Sequence, residues 1–327
     1  MSRAVSIVIH SSQFPENVRR DLLESLRSRQ INHKFHYDSI KQTQKWLALH
    51  QAYSPSRTDA DCAAIYDQSF AAAVSKIIPS QIHLIGLGCG GGQKDTRLLN
   101  LFKEQGKEIA YTPSDVSVAM VLVAQQTAAS VLALENCFPF VCDLASSESV
   151  SEIFSNVDSS STRLLTFFGM IPNFEPQTIL PKLADLLRPE DLLLFSANLA
   201  PGKDYFAGVQ RILPLYDNEL TRNWLLTFLF DLGVEKGCGE LRFDIEDSPE
   251  TQLKRVAAYF YLAKSCVIQL SEERFEFQAG ESIRLFFSYR HTPDRLTRLL
   301  ADHGITVLDQ WITQSEEEGV FLCRKTR

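Results

Sequence analysis

Five glycines within seven residues, directly after a short apolar run, constrain this chain more than any other feature of its sequence. The stretch Ile82–Asn100 reads IHLIGLGCGGGQKDTRLLN, and its glycines are Gly86, Gly88, Gly90, Gly91 and Gly92. Helical spacing begins near Gln93, so the pattern predicts a strand, a glycine turn and a helix N-terminus. Glycines let the backbone approach a ligand without a Cβ clash, and free helix N–H groups face an anionic or polar group. We therefore expect a nucleotide-cofactor site at this turn.

The glycine spacing leaves two cofactor classes open. Gly86, Gly88 and Gly91 satisfy the dinucleotide fingerprint G-x-G-x-x-G, which indicates a nicotinamide cofactor. The same turn is compatible with S-adenosylmethionine. Cys89 lies inside the turn, where either a small side chain filling a tight bend or a reactive thiol would fit. The choice between the two cofactors therefore depends on the rest of the chain.

Composition and charge indicate a soluble globular protein. Its 327 residues can bury one large core or two modest ones, and 45% hydrophobic and 22% charged residues are ordinary values. A net charge of −7 argues against a nucleic-acid partner, which is usually met by a basic surface. No apolar run approaches the ~20 residues of a membrane span, and Val5–Ile9 is too short for a signal sequence. We expect neither a membrane nor a nucleic acid as partner.

The cysteine pattern bears on the cellular location and on metal binding. The chain has seven cysteines, an odd number, and contains no C-x-x-C pair. This usage fits reduced thiols in a cytoplasmic protein and provides no metal-ligand spacing. The sequence therefore predicts a cytoplasmic location and no metal site.

From Gln81 onward, short apolar strands alternate with helical segments. Strands are predicted over residues 83–86, 108–113, 138–142, 163–168 and 191–197, with helices over 94–104, 117–134, 148–156 and 178–187. Strands separated by helices imply a parallel sheet that is covered on both faces. Near the C-terminus, Thr306–Trp311 and Gly319–Arg324 alternate around a polar turn. Such an antiparallel pair is usual in the methyltransferase fold, whereas the dinucleotide fold more often continues with parallel strands.

The alternation of strands and helices breaks after residue 200. Pro201–Ser265 has a mostly helical pattern, and strands are predicted at 268–270 and 274–278. We therefore expect an α/β fold: a Rossmann-like class I methyltransferase sheet with an antiparallel C-terminal strand pair, and a second, mainly helical α+β substrate domain. The predicted division is 1–60 as the N-terminal part of the substrate domain, 61–200 as the cofactor-binding domain, 201–281 as the inserted substrate domain, and 282–327 as C-terminal strands completing the cofactor-domain sheet.

Polar residues follow several of the predicted strands. Asp115 lies 27 residues past Gly88, where a carboxylate can accept bonds from both ribose hydroxyls or can cap the next helix. Asp143 can accept from an adenine amino group or act as a cap. A sulfonium donor also needs partners for its methionine ammonium and carboxylate, which the glycine turn, Lys94 and Gly169 can supply. Lys94 is equally compatible with a solvated position in the first helical turn.

An ordered set of short motifs resembles the histidine-type α-amino methyltransferases of ergothioneine biosynthesis over nearly the whole chain. The similar segments are Phe35–Asp38, Tyr53–Asp59, Gly88–Gly90 with Lys94 and Thr96–Leu99, Pro113–Ser117, Phe168–Asn173, Leu215–Asp217 with Thr221 and Asn223, and Gly280–Arg284 with Ser288. Each motif is short, and the shared order and spacing make the set specific.

The resemblance implies S-adenosylmethionine as cofactor and a substrate held between two domains. It implies cofactor contacts by the glycine turn, Asp115 and Asp143, and places Tyr37 and Tyr53 near the cofactor and the substrate entrance. It also implies that Asn173 and Tyr216 hold the amine and carboxylate of an amino-acid substrate, which makes them the candidate catalytic residues.

Departures from the family pattern affect both ends of the predicted site. Gly86 stands where the family has an acidic residue, and the glycine turn is one residue longer. Phe286 stands where the family pairs a glutamate with the histidine imidazole, two residues before Ser288. Removing that carboxylate should discriminate against histidine, because the imidazole N–H would be left unpaired. The sequence therefore predicts a small amine or amino-acid-like acceptor other than histidine, bound near Phe286 and Ser288.

The predicted reaction is methyl transfer from a sulfonium by in-line displacement. The enzyme contributes mainly alignment, with the nucleophile at ~3–3.5 Å from the methyl carbon. The nucleophile must be unprotonated, either because the neutral amine binds or because Tyr216, Asn173 or a water accepts the proton. Two alternatives stay open: a non-catalytic binding protein with the methyltransferase fold, suggested by Gly86 and Phe286, and an NAD(P)-dependent oxidoreductase, suggested by the glycine fingerprint.

Overall fold

The structure is a computed structural model and describes residues 5–147, 151–158, 161–248 and 251–326. The helices are α1 Pro15–Ser28, α2 Ile40–Tyr53, α3 Pro55–Thr58, α4 Ala60–Lys76, α5 Gln93–Glu104, α6 Val118–Ala128, α7 Pro176–Leu186, α8 Tyr205–Tyr216, α9 Glu219–Asp231 and α10 Pro293–Asp302. The strands are β1 Val8–Ile9, β2 Gln81–Leu87, β3 Glu108–Asp115, β4 Phe140–Val141, β5 Thr162–Phe167, β6 Leu192–Asn198, β7 Gly239–Ser248, β8 Leu253–Leu262, β9 Cys266–Leu270, β10 Glu273–Phe277, β11 Ser282–Arg290, β12 Ile305–Ile312 and β13 Glu318–Lys325.

The larger sheet has the strand order β1-β4-β3-β2-β5-β6-β13-β12 among the described residues. Neighbours from β1 to β6 pair in parallel, whereas β13 is antiparallel to both β6 and β12. The order reverses at β2, so the carboxyl ends of β2, β3 and β5 border a crevice of the kind in which α/β sheets bind ligands. The predicted α/β sheet with its antiparallel C-terminal pair is confirmed.

Strands β2, β5 and β6 are buried on both faces, as their nearly continuous apolar sequences require. On one face, α4 and α5 contribute Phe70 and Phe102 to the core. On the other face, α7 and α10 contribute Leu183 and Leu296. The central strands are therefore held by apolar layers on both sides, which keeps their carboxyl ends in place at the crevice.

A second unit combines helices with two small antiparallel sheets. Strands β11, β8 and β7 form a three-stranded sheet, and β9 pairs with β10. Its core joins α1, α9 and these sheets through residues such as Leu26, Trp224, Phe260 and Leu285. The N-terminal helices thus pack with the inserted segment, as the predicted α+β substrate domain requires.

Two predictions about the inserted segment are corrected. The helical pattern expected over 201–265 holds for α8 and α9, but residues 239–248 and 253–262 form β7 and β8. β7 reads GELRFDIEDS and alternates with a period of two. Its partner β8 is a run of aromatic and apolar residues, and such a run does not distinguish a strand from a buried helix. Residues 282–290, expected to complete the cofactor-domain sheet, form β11 and pair with β8 instead. Only β12 and β13 of the predicted 282–327 segment join the larger sheet.

Several predicted boundaries shift without changing the topology. The helix expected over 117–134 ends at Ala128. Of the helix predicted over 148–156, residues 148–150 lie outside the described residues, and Ser151–Phe154 form a short 3-10 helix. None of the described helices has the length and apolar character needed to cross a membrane.

Candidate functional site

A cavity of about 770 Å³ lies at the carboxyl edge of the larger sheet, between that sheet and the second unit. One wall comes from the sheet edge, with the glycine turn at 87–91, Asp115 and Asp143. The opposite wall comes from the second unit and includes Tyr37 and Phe287. This volume is in the range of sites that enclose a small ligand. The cavity therefore lies at the glycine turn and the strand ends, where the sequence predicts the cofactor site.

Gly88 and Gly90 of the glycine turn lie too close to their neighbours to carry side chains. Gly88 and Gly90 have φ angles of 66° and 51°, in the left-handed region that favours glycine. A Cβ on Gly88 would lie 2.5 Å from Sδ of Met170, and one on Gly90 would lie 3.0 Å from Trp46. At these two glycines the backbone of the turn faces the cavity without a side chain of its own.

Asp115 holds the turn from the end of β3. Its carboxylate accepts hydrogen bonds from the N–H of Gly90 and the N–H of Ser117, each at 3.1 Å. The cap of α6 is Ser117, whose Oγ accepts from the N–H of Met120. Burial raises the pKa of Asp115 to about 6, although these backbone bonds act in the opposite direction. Asp115 therefore lines the cavity as a partly buried carboxyl group with acceptor capacity remaining.

Asp143 joins the two units of the molecule. One of its oxygens, Oδ1, accepts from the N–H groups of Ala145 and Ser146 at 2.9 and 3.3 Å. Its other oxygen lies 3.3 Å from Nζ of Lys34, close enough for an ion pair but without hydrogen-bond geometry. Lys34, which belongs to the second unit, also donates to Asp21 at 2.5 Å. The sequence did not predict Lys34, since nothing in its local pattern marks it.

Lys94 lies in a buried cluster rather than in solvent. Its Nζ donates to the hydroxyl of Tyr66 at 2.7 Å and lies 4.0 Å from Oε1 of Glu318. The hydroxyl of Tyr66 in turn donates to Glu318. Burial lowers the pKa of Lys94, while Glu318 acts in the opposite direction. Lys94 and Glu318 both line the cavity, and the solvated alternative for Lys94 is not what the structure shows.

Asn173, Tyr37, Tyr53 and Gly169 also line the cavity. Nδ2 of Asn173 donates to the carbonyl oxygen of Phe287 at 2.8 Å, which leaves its Oδ1 as an acceptor. Burial raises the pKa of Tyr37, so its hydroxyl stays protonated. Tyr53 is 54% exposed and lies at the rim. The structure thus brings these predicted residues together around one space.

Tyr216, Ser288 and Phe286 lie behind the cavity wall rather than in it. The hydroxyl of Tyr216 donates to Oγ of Ser288 at 2.7 Å and accepts from Arg290 at 2.8 Å. The ring of Phe286, 7% exposed, packs against Trp224 with ring centroids 5.7 Å apart. The expectation that Phe286 faces the acceptor is therefore corrected.

A bulge in β11 explains this placement. The pairing of β11 with β8 shifts register between Arg284 and Phe286. Such a shift changes which side chains face the sheet's two sides. Arg284 and Phe287 therefore line the cavity, whereas Phe286 points into the core of the second unit.

Gly86 lies at the end of β2 and does not line the cavity itself. A Cβ there would lie 2.2 Å from Oδ2 of Asp95, which does line the cavity. The sequence did not predict Asp95, nor the cavity residues His33, Glu175 and Phe287. His33, Glu175 and Phe287 come from distant segments, whereas Asp95 directly follows Lys94 but has no spacing that marks it as a ligand.

The glycine at the start of α5 should be essential for packing. Gly92 and Gly106 have nearly equal φ angles of 73° and 72°, but a Cβ on Gly92 would lie 2.7 Å from Cα of Ala124, whereas no described heavy atom lies within 4 Å of one on Gly106. We expect Gly92→Ala to lower the free energy of unfolding by about 2 kcal/mol more than Gly106→Ala, because only the former adds a steric clash to the φ strain. Urea unfolding of both variants measures this difference. Equal losses would contradict the close approach of α5 and α6.

The sequence matches the family described as histidine-specific, SAM-dependent methyltransferases over residues 18–325. It is 28% identical over 289 residues to the N-methyltransferase imqF of Aspergillus flavus, covering 84% of this chain and 74% of that protein. Among solved structures, magnesium protoporphyrin IX methyltransferase from Synechocystis PCC 6803 shares 14% identity and a TM-score of 0.46, covering 89% of this chain and 97% of that chain. The CcbJ methyltransferase from Streptomyces caelestis shares 10% identity and a TM-score of 0.42, covering 80% of this chain and 89% of that chain.

Proposed function

Because this chain belongs to the family of histidine-specific, S-adenosylmethionine-dependent methyltransferases, we propose that it methylates the nitrogen of a small amine or amino-acid-like acceptor. The chain is a methyltransferase and S-adenosylmethionine is its cofactor. The nature of the acceptor is the part we propose. The similarity to an N-methyltransferase supports nitrogen as the methylated atom.

The observation that carries this proposal is the cradle formed by the glycine turn and Asp115. Gly88 and Gly90 have no room for side chains, and Asp115 is a partly buried carboxyl group beside them with acceptor capacity left. These features fit an adenosyl group, whose ribose hydroxyls need an acceptor and whose approach needs bare backbone. We propose that Asp115 holds the ribose and that Asp143 accepts from the adenine amino group.

The cofactor, when bound, supplies a methyl group on a cationic sulfur. The protein's own residues align the acceptor and control its protonation. We propose that Oδ1 of Asn173 accepts a hydrogen bond from the acceptor amine, because the bond from its Nδ2 to Phe287 fixes the direction of the amide. The walls formed by Phe168 and Phe287 exclude water from the same space. Tyr216 acts through Ser288 and Arg290, which makes it a positioning residue in this proposal.

The placement of Phe286 changes what can be proposed about histidine. Its ring lies in the core, so a side chain at position 286 does not contact the acceptor directly. The absence of a glutamate there is therefore not evidence against histidine. The cavity wall here is formed by Phe287, with the Arg284 guanidinium 5.1 Å from the centre of its ring. An aromatic wall flanked by a cation supports an amino-acid-like acceptor with a carboxylate. Histidine therefore belongs among the acceptors that must be tested.

A methyl-transfer assay over a panel of acceptors tests the proposal. The protein is incubated with methyl-labelled S-adenosylmethionine and each amino acid or common biogenic amine, and products are identified by mass spectrometry. We expect labelled methyl on the nitrogen of one acceptor class, and none with Asp115→Ala. Intact protein that binds S-adenosylhomocysteine but methylates no member of the panel would contradict the proposed acceptor class.

The raised pKa of Asp115 predicts a pH dependence of nucleoside binding. The carboxyl group, with a pKa of about 6, must lose its proton to accept bonds from two hydroxyls. Ligand binding favours the ionised carboxylate and so lowers this pKa. The affinity for the nucleoside therefore increases as the pH rises through 6. We expect the affinity for 5′-methylthioadenosine, which keeps the ribose, to rise about tenfold between pH 5 and pH 7. Calorimetry measures this change, and Asp115→Asn should abolish it; a pH dependence that persists in that variant would point to another group.

A further inference from the structure

Asp95 is a buried carboxyl group at the cavity that the mechanism above leaves unused. It lies in the first turn of α5 and is 3% exposed. Oδ1 accepts from the hydroxyl of Thr166 at 2.7 Å, and Oδ2 accepts from the hydroxyl of Tyr111 at 2.8 Å. Each oxygen keeps room for a further donor, because a carboxylate oxygen accepts about two hydrogen bonds. The group is therefore fixed in direction and still able to bind a ligand.

The carboxyl group of Asp95 fills the space beside Gly86. A Cβ added to Gly86 would lie 2.2 Å from Oδ2 and 3.2 Å from Cγ of Asp95. Gly86 is the strand position where the sequence lacks an expected acidic side chain, and the glycine turn that follows is one residue longer. An acid on α5 thus occupies the volume that a side chain on β2 would otherwise take. A carboxyl group is therefore present beside position 86 although residue 86 itself has no side chain.

No described lysine, arginine or histidine nitrogen lies within 4.0 Å of the Asp95 carboxylate. The adjacent Lys94 is directed instead to Tyr66 and Glu318. Burial raises the pKa of Asp95 to about 6, although the bonds from Thr166 and Tyr111 and the charge of Lys94 act in the opposite direction. A buried carboxylate at a ligand cavity is stabilised when a bound cation supplies the missing charge.

We propose that Asp95 binds the ammonium group of the methionine arm of S-adenosylmethionine, in place of an acid at position 86. This inference rests on the proposed cofactor position beside the glycine turn. Of the two cationic centres of the donor, only the ammonium has N–H groups that can bond to a carboxylate. The Asp95 carboxylate lies beside Gly86, two residues before Gly88 of the glycine turn, and Asp95 lines the same cavity as the proposed ribose partner Asp115.

Calorimetry with two ligands tests the inference. The ligands are S-adenosylhomocysteine and its deamino analogue, which has hydrogen in place of the amino group. We expect wild-type protein to bind S-adenosylhomocysteine at least about tenfold more tightly than the analogue, as for a charge-assisted hydrogen bond. Asp95→Asn should remove most of this preference while leaving the affinity for the analogue within about twofold. The matched control Asp302→Asn, on the exposed end of α10, should keep the preference.

The outcomes separate this inference from the cofactor site itself. If Asp95→Asn weakens both ligands equally, Asp95 has a structural role and the inference is overturned while the site stands. If wild-type protein binds the two ligands equally, the ammonium is not recognised and the inference is also overturned. Wild-type protein that binds neither ligand would overturn the site and the inference together.

A relocation variant keeps the test valid even if Asp95→Asn perturbs folding. Asp95→Ala removes the carboxylate and opens the space beside residue 86, and adding Gly86→Asp returns an acid from the strand. We expect the double variant to recover at least part of the preference for S-adenosylhomocysteine that Asp95→Ala loses. Thermal melting of each variant confirms folding before binding is measured. A folded double variant without any preference for the amino group would overturn the inference.

Discussion

Asp115→Ala is expected to weaken binding of S-adenosylhomocysteine by about 100-fold or more, equivalent to about 2.7 kcal/mol. The substitution removes the acceptor proposed for the ribose hydroxyls. It also leaves the N–H groups of Gly90 and Ser117 without the carboxylate that accepts from them in the wild-type protein. Because Gly90 has a φ of 51° and depends on that bond for its place in the turn, the cradle should lose its shape as well as its charge.

Calorimetric titration of S-adenosylhomocysteine measures this loss, and Asp115→Asn is the matched control. Asparagine can still accept from one of the two N–H groups but carries no charge, so its affinity should lie between those of the wild type and Asp115→Ala. Thermal melting should show both variants folded. An Asp115→Ala protein that keeps wild-type affinity would mean that the adenosyl group does not lie beside β3.

Phe286→Glu is expected to lower the free energy of unfolding by about 3–5 kcal/mol, and not to create affinity for histidine. The ring of Phe286 is 7% exposed and packs against Trp224, Tyr216 and His33. Replacing it removes this packing and places a carboxylate in an apolar core. His33 offers no compensation, because burial lowers its pKa and keeps the imidazole neutral.

Urea unfolding measures this loss, and Phe206→Glu serves as control. Phe206 is 45% exposed on α8 and lies near the Lys254 ammonium, so a glutamate there should change the free energy of unfolding by less than about 0.5 kcal/mol. A Phe286→Glu protein of wild-type stability that binds histidine would show that residue 286 faces the cavity. That result would restore the sequence-based argument about acceptor choice.

Local periodicity was enough to predict the larger sheet. The buried strands β2, β5 and β6 are short, apolar and separated by helices, and this alternation determines a parallel sheet. The C-terminal pair was recognisable because its strands flank a short polar turn. By contrast, β8 and β11 pair across 19 intervening residues that include a separate hairpin. A β-rich composition predicts a strand but does not identify the strand with which it pairs. The assignment of 282–290 to the wrong sheet followed from this.

In the candidate site, too, residues with a local sequence pattern were predictable and residues placed by long-range packing were not. Residues near the glycine turn and at strand ends were predicted because a strand-turn-helix sequence places them at the carboxyl edge of the sheet. Phe286 and Phe287 could not be told apart, since the bulge in β11 that reverses their directions has no marker in the sequence. Asp95 and Gly86 are nine positions apart, and only the three-dimensional structure shows that one fills the space beside the other. The roles of the site residues stay predictions for the experiments above.

Lys34 connects the wall of the cavity at Asp143 with the second unit. Lys34 lies in the segment between α1 and α2, yet its ammonium lies 3.3 Å from Asp143, on the wall proposed to hold adenine. If Asp143 holds the adenine as proposed, a bound donor and Lys34 share one carboxylate, and the segment that carries Lys34 lines the same cavity. Linkage is reciprocal, so an acceptor that contacts this segment would change the affinity for the donor by the same factor as the donor changes the affinity for the acceptor. Under the proposed roles, the binding of the two reactants is coupled through Lys34.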